Sequence, residues 1–398
     1  MNSTPNANRK HIAVYGKTNA GKSSLINKIL NQEISLVSDI PGTTTDPVLK
    51  AMELIPVGPV LFIDTAGFDD KSELGSLRVK KTLDILKRTD IALYVIDGNS
   101  IDSEEFKKAR INFKKYNIPY LTIINKIDEL SEEALGNLKK EFKDAIFIST
   151  LKNIGVDTVK NALVKKLEEE EEDGPILGDL VSYNGTVVLV VPVDSEAPKG
   201  RIILPQVQCI RDCLDHGIKS YVVRDTELKS ALQDLKDVDL VVTDSQAFKE
   251  VSKIVPENIH LTSFSILFAR HKGELNDFVD GANAIKNLKE GSKILISESC
   301  THNVSHEDIG RVKIPKLLNK FVGANLNFEY RVGYDFPDDI KKYDLIIHCG
   351  ACMINRKTVV NRINYCKEQG VPITNYGIIL AFLNGILDRS TKCFKDNI

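Results

Sequence analysis

Two groups of residues in this 398-residue chain have types and spacings that could do chemistry. The first is the octapeptide GKTNAGKS at positions 16–23, which fits the pattern G-x-x-x-x-G-K-[ST]. Gly16 and Gly21 let a backbone wrap a chain of phosphates, and the amides from Ala20 to Ser24 point at that chain from the start of a helix. Lys22 adds a point charge and Ser23 an oxygen for Mg2+. The second group is Cys300, His302, His348, Cys349 and Cys352, arranged as C-x-H and, much later, H-C-x-x-C. Thiolates and imidazoles in such sets hold zinc or iron–sulfur centres.

The phosphate motif has companions. DTAG at 64–67 ends a strand, so Asp64 is expected to reach the metal and Gly67 the γ-phosphate. NKID at 125–128 follows another strand; Asp128 would accept both hydrogen bonds from the guanine edge, while Asn125 and Lys126 shape the pocket. Adenine would leave that carboxylate unpaired, and this is how sites discriminate strongly. Ser149 and Thr150 in STL, 149–151, are placed to close over the base. PGTTTD at 41–46 stands where a switch loop belongs, with Thr44 as the expected contact to Mg2+ and the γ-phosphate. Five elements in this order predict a site that binds and hydrolyses GTP.

These residues need strands to end beside them. Short apolar runs alternate with helical patterns throughout: HIAVYG, VLFIDTAG, IALYVID, YLTIIN and AIFIST come first. TVVLVVPVD, SYVVRD and DLVVTD follow, and KILISES, NFEYRVG, DLIIHCG and PITNYG complete the set. That rhythm predicts an α/β protein: an N-terminal P-loop GTPase domain, then two smaller α/β domains with mainly parallel sheets. The acidic run Glu168 to Asp173, in KKLEEEEEDGPILG, marks a seam, because it cannot fold inward and Gly174-Pro175 stops a helix. A softer boundary falls near 265–285. The expected domains are therefore 1–173, 174–270 and 271–398. No short-period repeat is visible, although the last two segments share a strand–helix rhythm.

Composition narrows the class. Hydrophobic content of 42% and charged content of 27% suit a soluble globular chain, and no apolar run approaches the ~20 residues of a membrane span. The polar start MNSTPNANRK has no secretory h-region, so a cytoplasmic protein is expected, with its seven cysteines reduced unless a metal holds them. A net charge of −2 gives no general electrostatic footprint for nucleic acid.

Cys300 and His302 follow the strand KILIS, and His348, Cys349 and Cys352 follow DLII. Two parallel strands of one sheet would bring both groups to its carboxyl edge, where open α/β sheets assemble ligand sites. MINRKTVVNRINYCKEQG after Cys352 reads as a helix whose N-terminus would favour thiolates. Inert core cysteines, a structural zinc site and an iron–sulfur cluster all answer to this pattern, and residue chemistry leaves the last two nearly even. Cys209 and Cys213 share one helix face, which points to core packing; the third cysteine of a radical-SAM motif is absent, and Cys366 and Cys393 stand alone.

The N-terminal motifs resemble those of the TrmE–Era group of GTPases, which carry GTTxD and DTAG. In that group's potassium-activated members a residue at the position of Asn19 holds K+; here Asn19 is either that ligand or a turn residue. Phe68 follows DTAG in place of a water-positioning glutamine, which implies slow hydrolysis, with Asp70 and Glu73 as candidate water-orienting acids. The combination with C-x-H…H-C-x-x-C resembles the HydF family of FeFe-hydrogenase maturation factors over the whole chain. That resemblance implies a 4Fe–4S cluster on Cys300, Cys349 and Cys352, with His302 or His348 as candidate fourth ligand and Glu298, His306 and Glu307 as alternatives. It also implies a homodimer formed through residues ~180–270. The cargo would be a transient di-iron subcluster, received from two radical-SAM maturases and passed to apo-FeFe-hydrogenase, with no membrane and no nucleic acid involved. The alternative is an RNA- or ribosome-directed assembly GTPase with a structural zinc site.

Overall fold

A computed structural model describes residues 4–31, 38–40, 47–65, 75–169, 174–192, 202–299 and 308–395. The chain forms two compact units, Met1–Glu172 and Asp173–Ile398. Among the described residues no helix is long and apolar enough to cross a membrane.

The first unit is built on a seven-stranded sheet. Its strands are β1 (Lys10–Tyr15), β2 (Ser38–Ile40), β3 (Val48–Leu54), β4 (Gly58–Asp64), β5 (Ile91–Asp97), β6 (Tyr120–Asn125) and β7 (Ile146–Phe147). They lie in the order β2-β3-β4-β1-β5-β6-β7. Helices α1 (Lys22–Asn31), α2 (Gly75–Leu86), α3 (Ser103–Lys115), α4 (Glu132–Glu141) and α5 (Val156–Glu168) connect them. The expected strands appear as β1 and β4 to β7, all parallel; β2 and β3 add an antiparallel edge. Central β1 is apolar on both faces, as a strand covered on both sides must be. Ile12 and Val14 join the core on one face, and Ala13 and Tyr15 join the core on the other. Asp102 caps α3 by accepting from the amides of Glu104 and Glu105.

The second unit holds two four-stranded parallel sheets over one continuous apolar core. In chain order the first sheet has β8 (Thr186–Val190), β9 (Lys219–Val223), β10 (Leu240–Thr243) and β11 (His260–Ser263). Its helices are α6 (Leu204–Asp215), α7 (Leu228–Asp234), α8 (Phe248–Ile254) and α9 (Phe264–Lys272), and α10 (Leu275–Asn283) leads on to the second sheet. The second sheet has β12 (Lys293–Glu298), β13 (Asn327–Val332), β14 (Leu345–His348) and β15 (Ile373–Asn375). Helices α11 (Ile314–Val322), α12 (Arg356–Gln369) and α13 (Tyr376–Leu383) belong with it, α10 packs beside β15, and α14 (Leu387–Lys395) returns to pack beside β11 of the first sheet.

The orders β11-β10-β8-β9 and β15-β14-β12-β13 are one topology used twice. Register makes the equivalence residue by residue. Thr243 faces Val190 and Ser263 in the first sheet, and His348 faces Ser297 and Asn375 in the second. Ser263 and Asn375 then cap α9 and α13 in the same way, each accepting from the amide three residues on. Pro205 and Pro315 both sit in the first turn of the helix after the first strand. The shared rhythm in the sequence is thus a duplicated α/β unit, too diverged to show as a repeated string.

Candidate functional site

The nucleotide motifs converge at the carboxyl ends of β1, β4 and β6. Gly16 has φ +137° and Gly21 φ +93°, and a Cβ would lie 2.1 Å from the Val95 carbonyl oxygen at the first and 2.2 Å from Asn125 Nδ2 at the second. Only glycine fits either position. Lys22 Nζ donates to the carbonyl oxygens of Gly16 and Lys17, both at 2.8 Å, which holds the loop curled. Because Val14 pairs with Asp64 in the β1–β4 ladder, Asp64 ends beside α1, and Ser23 Oγ donates to Asp64 Oδ2. Two oxygens expected for Mg2+ therefore touch. Burial pushes the Asp64 carboxyl up, opposed by Ser23, Lys22 and Lys50.

Asn125 ties the loops together. Its Nδ2 donates to Ala20 O at 3.0 Å and to Thr150 Oγ1 at 3.3 Å, and its Oδ1 accepts from Thr150 N at 3.1 Å. Lys126, at φ +64°, pairs with Asp97 at 2.5 Å. Ser149 donates to the Asp128 carboxylate, holding it below the usual range and orienting it. Asn19, Gly21, Lys22, Ser23, Ser24, Asn125, Lys126, Asp128 and Thr150 line one cleft of about 410 Å³. A larger groove of about 720 Å³, beside Lys107, Arg110 and Tyr120, lies at the amino end of β6 and holds none of the motif residues. Thr44, Gly67, Phe68, Asp70 and Glu73 lie outside the described residues.

In the second unit, β12 and β14 are parallel neighbours, and β13 lies beyond one while β15 lies beyond the other. Their carboxyl ends therefore flank a topological switch point, where α/β sheets form their crevice. Cys349 leaves β14 there. Its Sγ accepts from Ser299 N at 3.0 Å, contacts Ser299 Oγ at 3.0 Å and accepts from Ala351 N at 3.5 Å. Ser299 immediately precedes Cys300 in the chain. Burial pushes the Cys349 thiol up, and the Ser299 and Ala351 donors pull the other way. Among the described residues no three of His, Cys, Asp or Glu converge as a metal-binding group; Cys300, His302, His306 and Glu307 lie outside them.

The helix expected directly after Cys352 starts at Arg356, because Asn355 is its N-cap, its side chain accepting from Thr358 N. The cysteine turn thus precedes the helix, and loop amides, rather than a helix dipole, face Cys349. Ala351 within that turn has φ +57°, a conformation costing a non-glycine residue ~1–2 kcal/mol. Buried Lys272, at the end of α9, holds it by donating to Ala351 O and Ile354 O, each at 2.9 Å.

His348 is buried with both ring nitrogens engaged: Nδ1 lies 2.8 Å from Cys349 O and Nε2 2.8 Å from Arg362 Nη1. Burial first, then Arg362, lowers its pKa to about 3. It is neutral, donating through Nδ1 and accepting through Nε2. In this arrangement it presents no nitrogen to a metal and instead braces the turn. Arg362 also donates to Ser297 Oγ and Gly333 O and lies over the Phe336 ring at 4.9 Å. Glu298, 2% exposed, is gripped by Arg311, with Nη2 to Oε2 at 2.8 Å. Among the described residues the Tyr376 hydroxyl is buried with no hydrogen-bond partner.

Lys272, Arg362, Ser299 and Tyr376 were not singled out by sequence. No local pattern marks them; only topology brings them to the cysteines. Cys209 and Cys213 are core residues of α6, as their helical spacing requires, with burial raising both thiols, Cys213 to about 12. Buried Cys366 is likewise pushed up to about 12.

Comparison with known proteins fits this division. Residues 11–126 match a family described as 50S ribosome-binding GTPase. GTPase Der of Campylobacter hominis is 37% identical over 163 residues, 40% of this chain and 35% of that protein. The tRNA modification GTPase MnmE of Christiangramia forsetii is 33% identical over 171 residues, 39% of this chain and 36% of that protein. The chain thus spans little more than a third of these relatives. The structure of Era from Aquifex aeolicus bound to GDP and aluminium fluoride is 21% identical, with a TM-score of 0.33, covering 61% of this chain and 97% of that one. Residues 176–273 match the Hydrogen maturase F dimerization domain and residues 276–393 the Hydrogen maturase F tetramerization domain, together more than half of the chain. With a GTPase domain ahead of both, the chain belongs to the hydrogen maturase F family.

Proposed function

We propose that the chain is a GTP-hydrolysing scaffold that carries metal-cluster cargo in FeFe-hydrogenase maturation. In the first unit, Lys22 and the P-loop amides bind the phosphates, Ser23 and Asp64 with Thr44 hold Mg2+, and Asn125, Lys126 and Asp128 with Ser149 and Thr150 take the guanine. Asn19, which lines the cleft, is proposed to hold K+ beside the phosphates. GTP ordering the switch loop and hydrolysis releasing it would bias contacts with partners.

In the second unit, Cys300, Cys349 and Cys352 are proposed to hold a 4Fe–4S cluster. One observation carries this: the amide of Ser299, the residue before Cys300, stands 3.0 Å from Cys349 Sγ. The surroundings fit an anionic group. Cys349 already receives amide donors, Lys272 and Arg362 bring buried positive charge close by, and an unpaired hydroxyl waits on Tyr376. Bound there through three sulfurs, a cluster would supply one exchangeable iron position. The cargo, a di-iron subcluster from two radical-SAM maturases, would dock at that position and pass to apo-FeFe-hydrogenase.

A homodimer is supported by β9, an edge strand that exposes Tyr221 and Val222, and by the dimerization-domain match. A cytoplasmic setting goes with this reading.

Anaerobic reconstitution with iron and sulfide tests it. Broad absorbance near ~400 nm, lost in Cys300→Ala, is expected for ligation of this type. Tight stoichiometric zinc with no such band would refute it in favour of an RNA- or ribosome-directed GTPase.

A further inference from the structure

The duplicated fold supplies an internal control for the cysteine site. The equivalence of Ser263 with Asn375 makes Phe264 the counterpart of Tyr376, each the first residue of its helix after a cap that accepts from the amide three residues on. In the repeat that has no cysteine at its crevice this residue is a phenylalanine; in the repeat that has Cys349 it carries one more atom, a hydroxyl. Among the described residues that hydroxyl is buried and has no hydrogen-bond partner. Burying a donor without an acceptor is costly, so such a group calls for a missing partner. Room has been made for it: a Cβ on Gly310 would lie 1.9 Å from Tyr376 Oη and 3.0 Å from Glu298 Oε1. The hydroxyl therefore stands beside Gly310, near the carboxylate of Glu298, the last residue of β12. After burial itself, the groups bearing on it are Cys349, Glu298, Asp308 and Tyr330, all of which oppose its ionisation. It is kept as a donor.

We infer that Tyr376 is a positioning residue of the cysteine site, its hydroxyl donating a hydrogen bond to an anionic acceptor of the bound cluster; this rests on the cluster reading above. The acceptor is either a sulfur of the cluster or an anion on its open iron. Arg311 holds Glu298 to one side, so Glu298 does not take that bond in the metal-free arrangement.

The test is Tyr376→Phe, a change the first repeat already carries at Phe264. Four quantities are compared with wild type: heat stability of the metal-free protein, midpoint potential of the reconstituted cluster followed by electron paramagnetic resonance, release of iron to a chelator, and affinity of the loaded protein for added cyanide. Metal-free Tyr376→Phe is expected to be as stable as wild type or more so, because an unsatisfied hydroxyl is gone. Loaded Tyr376→Phe is expected to favour the oxidised cluster about tenfold more, a midpoint about 59 mV lower for one electron, and to release iron faster. A shift seen without added ligand assigns the bond to cluster sulfur. A change only in the affinity for added cyanide assigns it to an anion on the open iron. Wild type that loads no cluster overturns both readings together. Wild type that loads, with a variant matching it in potential, iron release and cyanide affinity, overturns this inference alone. So does a metal-free variant less stable than wild type, which would mean the hydroxyl has a structural partner.

Discussion

Asn125→Ala probes the junction on which the nucleotide cleft depends. Asn125 is fully buried, and its amide joins the P-loop to the loop after β7 through three hydrogen bonds. Truncation leaves the Ala20 carbonyl and the Thr150 amide, both buried, without partners; the Thr150 hydroxyl can rotate away. Two orphaned backbone groups at ~1–3 kcal/mol each, partly relaxed, come to about 3 kcal/mol. The Gly21 backbone also loses the side chain it rests against, since a Cβ there would lie 2.2 Å from Asn125 Nδ2. Both loops line the cleft, so most of the loss should appear in nucleotide affinity, about a hundredfold at ~1.4 kcal/mol per decade. Titration with a fluorescent GDP analogue reads it directly, with calorimetry of the free protein giving the accompanying loss of stability. A fall of less than threefold would show that the two loops are held apart from Asn125, and the account of this junction would be wrong.

Asp128→Asn replaces one of two oriented acceptor oxygens with a donor and should weaken GTP binding by ~2–4 kcal/mol, roughly 30- to 1,000-fold, while leaving iron uptake intact. Loss of both in parallel binding and iron assays would argue against separable units, and a nucleotide with a carbonyl in place of guanine's 2-amino group should gain affinity. Lys272→Met removes the two bonds that hold the turn around Ala351; after allowing for relief of the buried charge, ~2 kcal/mol is lost, lowering the melting of the second unit by ~4–8 °C. Scanning calorimetry with unchanged melting would count against Lys272 as the turn's tether. His11 is buried, and burial, then Arg88, lowers its pKa to about 4. Its neutral form is the one folded, so stability is complete above ~6.5 and falls as pH drops, by about 2 kcal/mol at pH 5. Urea melts at pH 7 and pH 5 should show that loss in the first unit, and His11→Gln should flatten it.

What could be read from sequence followed from burial. β1, β4 and β12 are apolar runs because each is covered on both faces, and their ends lead into the motif residues. The P-loop was legible because its glycines answer to backbone geometry that no other residue meets. The start of α12 was misplaced by several residues: the apolar pattern runs back through Met353 and Ile354, while the cap that sets the boundary is Asn355. The antiparallel β2–β3 edge left no signal, since β3 alternates weakly and sits beyond a switch segment. Lys272 and Arg362 looked like ordinary helical cations; only the tertiary fold turns them inward, Lys272 reaching a loop 79 residues away.

The duplication also argues about where function resides. Both repeats place a crevice at the carboxyl ends of their first and third strands, and register equates Thr243-Asp244-Ser245 with His348-Cys349-Gly350. One backbone design thus presents two edges, and residue type alone separates them. The first edge is spent on packing: Lys313, ahead of α11, donates to Gln246, joining the first crevice loop to the second repeat. The second edge is tied to the first repeat as well, through Lys272 to the Ala351 and Ile354 carbonyls, but what gathers around Cys349 there is a set of amide donors, buried cations and, among the described residues, an unpaired phenol. A fold holding inert cysteines would have no reason to treat its two edges so differently. The asymmetry lies in residue type: amide donors and buried cations gather at Cys349, and they favour negative charge at that crevice.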